Sequence, residues 1–265
     1  MEKVVVKRDG RIESYDRQKI RSSLLKCTNP RIAERVICDL EGSIVGKVNS
    51  YEIHENVKKS LWKRDPVGAV KYQLRESMMK LGPAGYNFED FYARIIKESG
   101  YEPLVRQRLS GRCAIHELDV VYSDARGKRF AEMKYHNQFG IYTGLKEALY
   151  TYMRLLDLNE ANNGFAGAEL VSNTKVSDDA IDFAKCRKMG IIAWKYPPGN
   201  GLEVVIERMK LYPVTSFEGL IGEWQVKKLM SEGVITVKDV VQAHHEGKLE
   251  IDLSEVYQIA VDLLK

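Results

Sequence analysis

Residues 116–136 constrain the fold more strongly than any other stretch, because their pattern predicts two strands joined by a tight turn. The strands are predicted over Ile115 to Tyr122 and over Arg129 to Tyr135, the two runs that carry the apolar residues. The segment between them, Asp124 to Lys128, has the sequence DARGK, which is typical of a turn. A chain with this hairpin in its interior must form a sheet around an antiparallel strand pair.

Two carboxylates and one ammonium group fall on one side of the predicted hairpin. Glu132 and Lys134 lie two positions apart in the second strand, so their side chains project from the same face. With the turn centred near Arg126, Asp119 falls roughly opposite Glu132, where the two acids can share an ion. The pattern therefore predicts a site for a divalent cation.

Such a group suits the metal-assisted hydrolysis of a phosphodiester bond. Carboxylate oxygens bind Mg²⁺ through few protein ligands and leave waters in place. The bound ion, Mg²⁺ or Mn²⁺, lowers the pKa of a water and neutralises charge that grows at phosphorus. A lysine beside it can orient the water or stabilise the extra negative charge. A cross-strand salt bridge on a solvated face explains the same three residues equally well, because the pattern is short.

The wider context favours the nuclease interpretation, because residues 86–196 resemble the PD-(D/E)xK nuclease superfamily. This superfamily includes restriction endonucleases and archaeal Holliday-junction resolvases, and the segment looks like the core of enzymes that act on modified DNA. Leu118 stands before Asp119 where the motif is named for a proline, a departure that is common among relatives. The segments that carry the resemblance are residues 88–103, 116–122, 131–136 and 170–194.

The resemblance assigns roles to individual residues. It implies that Asp119 and Glu132 bind the metal together with the main-chain carbonyl of Met133, and that Lys134 is the catalytic lysine. Related folds often carry a further acid near the start of the first helix, and Glu89 occupies that position. A carboxylate at a helix start also favours the helix dipole, so the catalytic and the structural interpretations of Glu89 both stay open.

The segment before residue 85 has a separate organisation. A pair of turn residues, Asp9 and Gly10, joins two short strands into a hairpin. The sequence LGPAGY, residues 81–86, ends this unit and marks the best domain boundary in the chain. Between the hairpin and this boundary, apolar residues at helical spacing predict helices over residues 17–27, 30–45, 51–62 and 67–81.

This hairpin with its helices resembles the ATP-cone, a regulatory nucleotide-binding domain known from ribonucleotide reductases and their transcriptional repressor. The resemblance rests on residues 4–20, 50–55 and 69–75, and it implies a site for ATP or dATP. Cations from a strand and the next helix can converge on a triphosphate, whereas each lysine taken alone more often belongs to a solvated hairpin. The implied site has three phosphate-holding cations, two pocket residues and two residues near the base or ribose: Lys7, Arg8 and Lys19; Val5 and Glu13; Ser50 and His54.

From residue 85 onward, helices and strands alternate in an order that describes a mixed sheet with helices on both faces. We therefore expect a multidomain α/β chain. A mostly helical ATP-cone with a β-hairpin would span residues 1–84, a restriction-endonuclease-like α/β/α nuclease domain residues 85–200, and a helical region residues 201–265. The helix predicted over residues 144–157 is amphipathic, and its apolar residues recur at helical spacing: Leu145, Leu149, Tyr152 and Leu156.

The C-terminal region contains one further recognisable segment. Residues 227–241 resemble half of a helix-hairpin-helix unit, with Gly233 at the turn and Thr236 capping the next helix. Such a hairpin can offer backbone N–H groups to DNA phosphate. A small helical cap that packs on the nuclease core is the favoured interpretation, because the second half of the motif is missing.

Composition narrows the classes of function. A net charge of +4 over 265 residues permits nucleic-acid binding without demanding it. No stretch approaches the ~18 apolar residues of a membrane span, and the N-terminus lacks a signal-peptide pattern, so we expect a cytoplasmic protein with no membrane partner. The four cysteines contain no CxxC pair, which favours free thiols in a reducing compartment.

Together these observations predict a nucleotide-regulated, Mg²⁺-dependent endonuclease that hydrolyses phosphodiester bonds, with DNA as its partner. Nucleases of this type often pair two sites, so a homodimer is compatible with the resemblance. The sequence has no Walker motif, and we expect ATP or dATP to act as a regulatory ligand and not as a fuel. The alternative is a nucleotide-sensing DNA-binding regulator that keeps the nuclease fold without cleavage. A third, an accessory protein of deoxynucleotide synthesis, rests on the ATP-cone alone.

Overall fold

The computed structural model of the protein describes residues 3–7, 10–82, 86–248 and 253–265. Within these ranges the chain is a mixed α/β protein whose strands form three sheets. Arg8 and the predicted boundary between residues 84 and 85 lie outside the described residues.

The N-terminal segment consists of a small sheet and the helices that pack on it. Its elements are β1 (Val4–Val6), β2 (Ile12–Ser14), α1 (Arg17–Leu24), α2 (Pro30–Ser43), β3 (Lys47–Asn49), α3 (Ser50–Arg64), α4 (Pro66–Tyr72) and α5 (Leu74–Met78). Strand β1 is central: β2 pairs with it antiparallel, as the predicted hairpin requires, and β3 pairs with it in parallel. Asp16 caps α1 by accepting hydrogen bonds from the N–H groups of Gln18 and Lys19.

The helix predicted over residues 67–81 is interrupted between α4 and α5. Gln73, at the break, has φ of −93° and ψ of 7°, which lies outside the helical region. Its side-chain amide donates a hydrogen bond to the carbonyl of Ser216, which lies 143 residues further along the chain. The prediction of one continuous helix is therefore wrong, and the contact that accompanies the break is a long-range one that helical spacing does not reveal.

The middle of the chain forms the main sheet. Its elements are α6 (Tyr86–Glu98), β4 (Leu104–Ser110), β5 (Ile115–Asp124), β6 (Gly127–Lys134), β7 (Tyr142–Thr143), α7 (Leu145–Glu160), β8 (Gly167–Ser172), β9 (Lys175–Val176), α8 (Asp178–Arg187) and β10 (Gly190–Ile192). Five strands lie in the order β10-β8-β6-β5-β4. The pairs β4–β5 and β5–β6 are antiparallel, whereas β6–β8 and β8–β10 are parallel, so the sheet is mixed, as predicted.

Helices cover both faces of this sheet. On one face, α6 packs Phe88 and Phe91 into a core with Val120 and Ala131 of the central hairpin. On the other face, α7 and α8 pack against residues that alternate with those along the strands: Val121, Phe130 and Leu170. Strand β8 is buried along its whole length, which is typical of a strand inside a parallel pair.

Helix α7 buries a face that its leucine spacing does not predict. The residues it buries are Ala148, Thr151 and Leu158. Leu145 and Leu149, which belong to the predicted apolar stripe, are 36% and 42% exposed. The short side chains of Ala148 and Thr151 allow close packing. Of the predicted stripe, Tyr152 packs against the core of this face, whereas the leucines do not lie at its centre.

The C-terminal region is helical. Its helices are α9 (Leu202–Met209), α10 (Glu223–Ser231), α11 (Val237–His245) and α12 (Ser254–Leu264), and a 3₁₀ turn at Val214–Phe217 lies between the first two. No helix in the described part of the chain is both long enough and apolar enough to cross a membrane.

The predicted half-motif between α10 and α11 has its expected turn, but its N–H groups are already paired. Gly233 has a φ of +80°, and Thr236 caps α11. The N–H groups of Ile235 and Thr236 donate to the Asp239 carboxylate at 3.0 and 2.9 Å. Arg94 of α6 donates to the Gly233 carbonyl at 3.0 Å. These contacts fit a helical cap that packs against α6 and do not leave this turn open to a phosphate.

One hydrophobic core joins the N-terminal helices, the main sheet and the C-terminal region. Its members include residues from each of the three parts: Val70, Leu74 and Met78; Phe88 and Val120; Phe217, Leu229 and Ala260. A hydrogen bond also joins the N-terminal helices to the C-terminal region: the Thr215 hydroxyl donates to the Ser77 carbonyl at 2.8 Å. Helices α4 and α5 therefore belong both to the N-terminal segment and to the core beneath the main sheet.

Candidate functional site

The strand pairings of the N-terminal sheet gather most of the predicted nucleotide residues. Val5 lies opposite Glu13 in the β1–β2 pair, and Val6 lies opposite Asn49 in the β1–β3 pair. Lys7 therefore leaves β1 beside Ser50, the first residue of α3. The N-terminus of a helix carries partial positive charge and attracts anions, so the position of Lys7 next to it suits a phosphate.

Two lysines approach the carboxylate of Glu13. The ammonium of Lys7 lies 3.3 Å from it and that of Lys19 lies 3.6 Å from it. The hydrogen bond from Lys7 lowers the pKa of Glu13 below its usual range. The structure thus brings Lys7, Glu13 and Lys19 together from a strand, its hairpin partner and α1.

A cleft of about 430 Å³ is lined by residues of the N-terminal segment and by one residue from later in the chain. Ser23, which lines it, is one helical turn beyond Lys19 on α1, so the cleft lies on the same face of that helix. His54 and Tyr72 form a stacked pair in its wall, with ring centroids 5.0 Å apart and 23° between the ring planes. The remaining lining residues are Arg75, Glu76 and Phe139. We refer to this space as the nucleotide cleft.

His54 is held in its position by an acid. Its Nε2 lies 3.0 Å from Glu76, and this hydrogen bond is the main reason that the pKa of Glu76 is well below its usual range. Of the described residues, His54, Glu55 and Glu76 are the group that brings three metal-type ligand atoms within 4.8 Å of one another. The Lys58 ammonium already lies 2.6 Å from Glu55 and 3.2 Å from Glu76, so an ammonium satisfies both carboxylates.

The predicted acids of the central hairpin lie where its two strands stop pairing. The β5–β6 ladder ends with Val120 opposite Ala131, one step before Asp119 and Glu132. Beyond this point the Asp119 carboxylate takes the place of a strand partner and accepts a hydrogen bond from the Met133 N–H at 2.6 Å. We call Asp119, Glu132, Met133 and Lys134 the acid fork.

Glu132 is the most buried member of the acid fork, with 3% of its side chain exposed. One of its oxygens accepts a hydrogen bond from the Lys134 ammonium at 2.6 Å. The other accepts one from the guanidinium of Arg154, which reaches it from α7. The carboxylate is therefore held between two cations, one on its own strand and one on the helix that covers this face.

Asp119 is shielded from water in a way that disfavours its charged form. Burial, followed by the nearby Glu132 carboxylate, raises the pKa of Asp119 to about 7, and Glu89 acts in the same direction. A carboxyl group with such a raised pKa, next to a second acid, is typical of sites that bind a cation or transfer protons.

Glu89 lies in the first turn of α6, as predicted, and faces the same region. It is buried, which raises its pKa, and it accepts a hydrogen bond from Arg106 of β4 at 3.2 Å. Within the described residues, Glu89, Asp119 and Glu132 do not form a group whose ligand atoms all lie within 4.8 Å. Glu89 thus acts on Asp119 through its charge, which helps to raise the pKa of Asp119.

The acid fork offers oxygen atoms of the kind that bind a divalent cation such as Mg²⁺, and a cation there would share the Glu132 carboxylate with Lys134 and Arg154. Asp119 and Glu132 supply carboxylate oxygens from adjacent strands. In a strand, the N–H and the C=O of one residue point toward the same neighbour, so the Met133 carbonyl faces the side on which its N–H meets Asp119. Two carboxylates and one carbonyl are a small oxygen ligand set of the kind that Mg²⁺ accepts.

Sequence reasoning missed several residues that the fold adds to these sites. Arg154 reaches Glu132 from 22 positions away, and its guanidinium also lies 4.4 Å from the ring of Tyr150. Tyr150 and Arg154 have the i, i+4 spacing of a helical pair, which is a local signal for the contact between these two residues. The contact of Arg154 with Glu132 has no local signal. Phe139 and Arg75 of the nucleotide cleft have no comparable signal, because they are brought together from different parts of the chain.

Comparison with known proteins identifies the N-terminal part. The ATP cone domain family matches residues 3–75. A transcriptional repressor, NrdR of Hyphomonas neptunium, is 35% identical over 78 residues, which are 26% of this chain and 49% of the repressor. This chain therefore spans about half the length of that repressor.

Two further matches cover a larger part of the chain. The crystal structure of AF1548, described as a protein of unknown function, superposes with a TM-score of 0.57 at 31% identity, over 68% of this chain and 96% of that one. An uncharacterized protein of Archaeoglobus fulgidus is 38% identical over 163 residues, which are 61% of this chain and 90% of that protein. The chain therefore belongs to the family of this Archaeoglobus protein and carries an ATP-cone domain at residues 3–75.

Proposed function

We propose that the protein is a nucleotide-regulated, Mg²⁺-dependent nuclease that hydrolyses phosphodiester bonds in DNA. The observation that carries this proposal is the acid fork: two carboxylates of adjacent strands lie at the end of a ladder, beside Lys134. Burial and charge together raise the pKa of one of them to about 7. A solvated cross-strand salt bridge does not account for these features, because Glu132 is only 3% exposed.

Each residue of the acid fork has a proposed role. Asp119, Glu132 and the Met133 carbonyl would hold Mg²⁺, which supplies a water of lowered pKa and positive charge beside the phosphate. Lys134 extends from the same face as Glu132, where its ammonium can orient the attacking water or a phosphate oxygen. Asp119 must be ionised to serve as a ligand, so its raised pKa makes the site dependent on pH. Glu89 assists by its charge.

The division of labour follows the predicted domains. Residues 1–84 would bind ATP or dATP through Lys7, Arg8 and Lys19, with Val5, Glu13, Ser50 and His54 around the ligand. Residues 85–200 would carry the nuclease site, and residues 201–265 would support both. The nucleotide acts as a signal in this proposal, so its hydrolysis is not coupled to DNA cleavage. Phosphate release in step with cleavage would contradict that part of the proposal.

Cleavage assays with Lys134→Ala test the activity. The full-length protein is incubated with Mg²⁺ or Mn²⁺ and with duplex, single-stranded, branched or modified DNA, in the presence and absence of ATP. We expect Lys134→Ala to reduce cleavage about 10²- to 10³-fold, the range for loss of one group that stabilises the transition state. Binding of DNA should persist. Lys185→Ala, an exposed lysine of α8, is the matched control and should cleave like wild type.

A second candidate is a nucleotide-sensing DNA-binding regulator in which the acid fork is not catalytic. The similarity of part of the chain to a transcriptional repressor favours it. This candidate predicts DNA binding that ATP or dATP changes, with no cleavage of any substrate under any of the conditions above. Cleavage by wild type that Lys134→Ala loses would exclude it.

A further inference from the structure

The wall of the nucleotide cleft is completed by a residue from outside the ATP-cone domain. We propose that Phe139 contacts the bound nucleotide, so that the segment after Lys134 in the chain forms part of the ATP site. Nucleotide binding then acts directly on residues 137–141. The binding half of this proposal depends on the ATP-cone domain at residues 3–75, and only its effect on catalysis depends on the proposed nuclease.

The contacts of Phe139 place it in the cleft. It lines the same space of about 430 Å³ as His54 and Tyr72. The guanidinium of Arg75, on α5, lies 5.2 Å from the centre of its ring, which is within the range of a cation–π contact. The ATP-cone therefore supplies a stacked aromatic pair and the Arg75 guanidinium to the cleft, and the main-sheet part of the chain supplies the Phe139 ring.

The segment that carries Phe139 is fixed at both ends. His136 exchanges two hydrogen bonds with the Asn173 side chain, at 2.8 Å through its N–H and 2.7 Å through its carbonyl. The His136 ring lies 3.0 Å from the hydroxyl of Thr143, on the far side of the segment. Phe139 therefore lies on a short segment that begins at an anchored residue, His136, two residues after Lys134.

The chemistry of these groups suits a purine. Bases stack on aromatic side chains and on the planes of guanidinium groups, and both kinds of group line the cleft. The phosphates of the same ligand would extend along α1 from Ser23 toward Lys19, which shares an acid partner, Glu13, with Lys7. A ligand that contacts Phe139 and the ATP-cone at once binds better to one arrangement of the segment, which by linkage gives coupling in both directions.

Nucleotide binding to the full-length protein tests the first half. We expect Phe139→Ala to weaken binding of ATP and dATP about tenfold by calorimetry, a typical loss for one stacking contact. Phe139→Leu keeps an apolar side chain and should lose much of the same affinity. The control is Ile141→Ala, an exposed apolar residue of the same segment that does not line the cleft. Its affinity should equal that of wild type.

Amide hydrogen exchange provides a second readout. ATP should slow exchange at residues 137–141 in wild type and in Ile141→Ala, but not in Phe139→Ala. Wild-type affinity in Phe139→Ala together with unchanged exchange in this segment would overturn the proposal and confine the site to the ATP-cone. Melting curves of each variant exclude unfolding as the cause.

The effect on catalysis is measured separately. If wild type cleaves DNA at a rate that ATP changes, Phe139→Ala should lose that change, whereas Ile141→Ala should keep it. Persistence of that change in Phe139→Ala would overturn the coupling. If wild type does not cleave, the proposed nuclease fails while the binding and exchange results still decide the role of Phe139.

Discussion

The cation cluster around Glu13 and the acid fork use the same types of charged side chain in opposite ways. Around Glu13, two lysines converge on one acid at an exposed surface, and they lower its pKa. In the acid fork, burial and a second acid raise the pKa of Asp119 to about 7. An exposed surplus of cations suits a polyphosphate, whereas buried neighbouring acids suit a divalent cation. The contrast shows that exposure and neighbours, and not residue type, distinguish the two sites.

The two regions are chemically different but mechanically joined. Helix α5 places Arg75 and Glu76 at the nucleotide cleft and buries Leu74 and Met78 in the core beneath the main sheet. The two regions are therefore connected by continuous side-chain packing. Substitutions in each region test this contrast, and we expect the largest effect at the junction between them.

Met78→Ala tests the mechanical junction. Met78 is fully buried, and truncation of such a residue costs about 2–5 kcal/mol. We expect one cooperative loss of structure in urea, in which far-UV circular dichroism and ATP binding fall together. The matched control is Met153→Ala, since Met153 is 58% exposed and its truncation should change stability by less than about 0.5 kcal/mol. Two separate transitions in Met78→Ala would show that the N-terminal part folds independently of the sheet.

Lys19→Ala tests the electrostatic side of the contrast. Its ammonium belongs to the pair around Glu13, and loss of one charged phosphate contact should weaken ATP binding about tenfold. Added salt should reduce the difference between wild type and variant, because exposed charges are screened. Cleavage without nucleotide should not change. Lys26→Ala, an exposed lysine just beyond α1, is the control, and an equal loss of affinity in it would argue for a diffuse surface effect.

The acid fork should respond to pH with a definite sign. Because the folded-state pKa of Asp119 is raised, its contribution to stability is complete below the pKa of the unfolded state and is lost as the pH rises through about 7. Without added metal, Asp119→Asn should therefore gain a few degrees in Tm over wild type at about pH 8, and less at about pH 5. Asp182→Asn, at an exposed position of α8, should follow wild type at both values.

Added Mn²⁺ should make wild type more stable than Asp119→Asn at about pH 8, the reverse of the order without metal. The ion requires ionised Asp119, so its binding to wild type should strengthen as the pH rises toward about 8. Asp119→Asn should show no such gain. A wild-type protein whose Tm ignores Mn²⁺ at every pH would count against a cation at the acid fork.

Local periodicity predicted much of the fold and of the acid fork. Alternation along two strands and a turn between them were enough to place Asp119 near Glu132, because strand register is fixed by the hairpin. The roles of these residues stay predictions. Predictions from the sequence failed where contacts between distant segments determine the local structure. The break at Gln73 is accompanied by a contact with Ser216, and Arg154 reaches Glu132 only after α7 has packed on the sheet.

Helix α7 shows a second limit of pattern reasoning. Leucine spacing indicates an amphipathic helix but does not say which face the fold will bury. Here Ala148 and Thr151 are buried, and the larger Leu145 and Leu149 stay partly exposed. Close approach of a helix and a sheet depends on the shapes of both surfaces. The sequence of the helix does not give the shape of the sheet surface on which it packs.

The shared core beneath α4 and α5 bears on how such a chain can be inherited and re-used. A sensor domain that buries all its apolar residues within its own core can be joined to a neighbouring domain without a fitted interface. Here Val70, Leu74 and Met78 contribute to the interior of the main sheet and the C-terminal helices. A copy of the first eighty-odd residues attached to another protein would expose an apolar surface that has no packing partner. Joining such a sensor to a new neighbour therefore requires matching apolar residues on both sides of the junction.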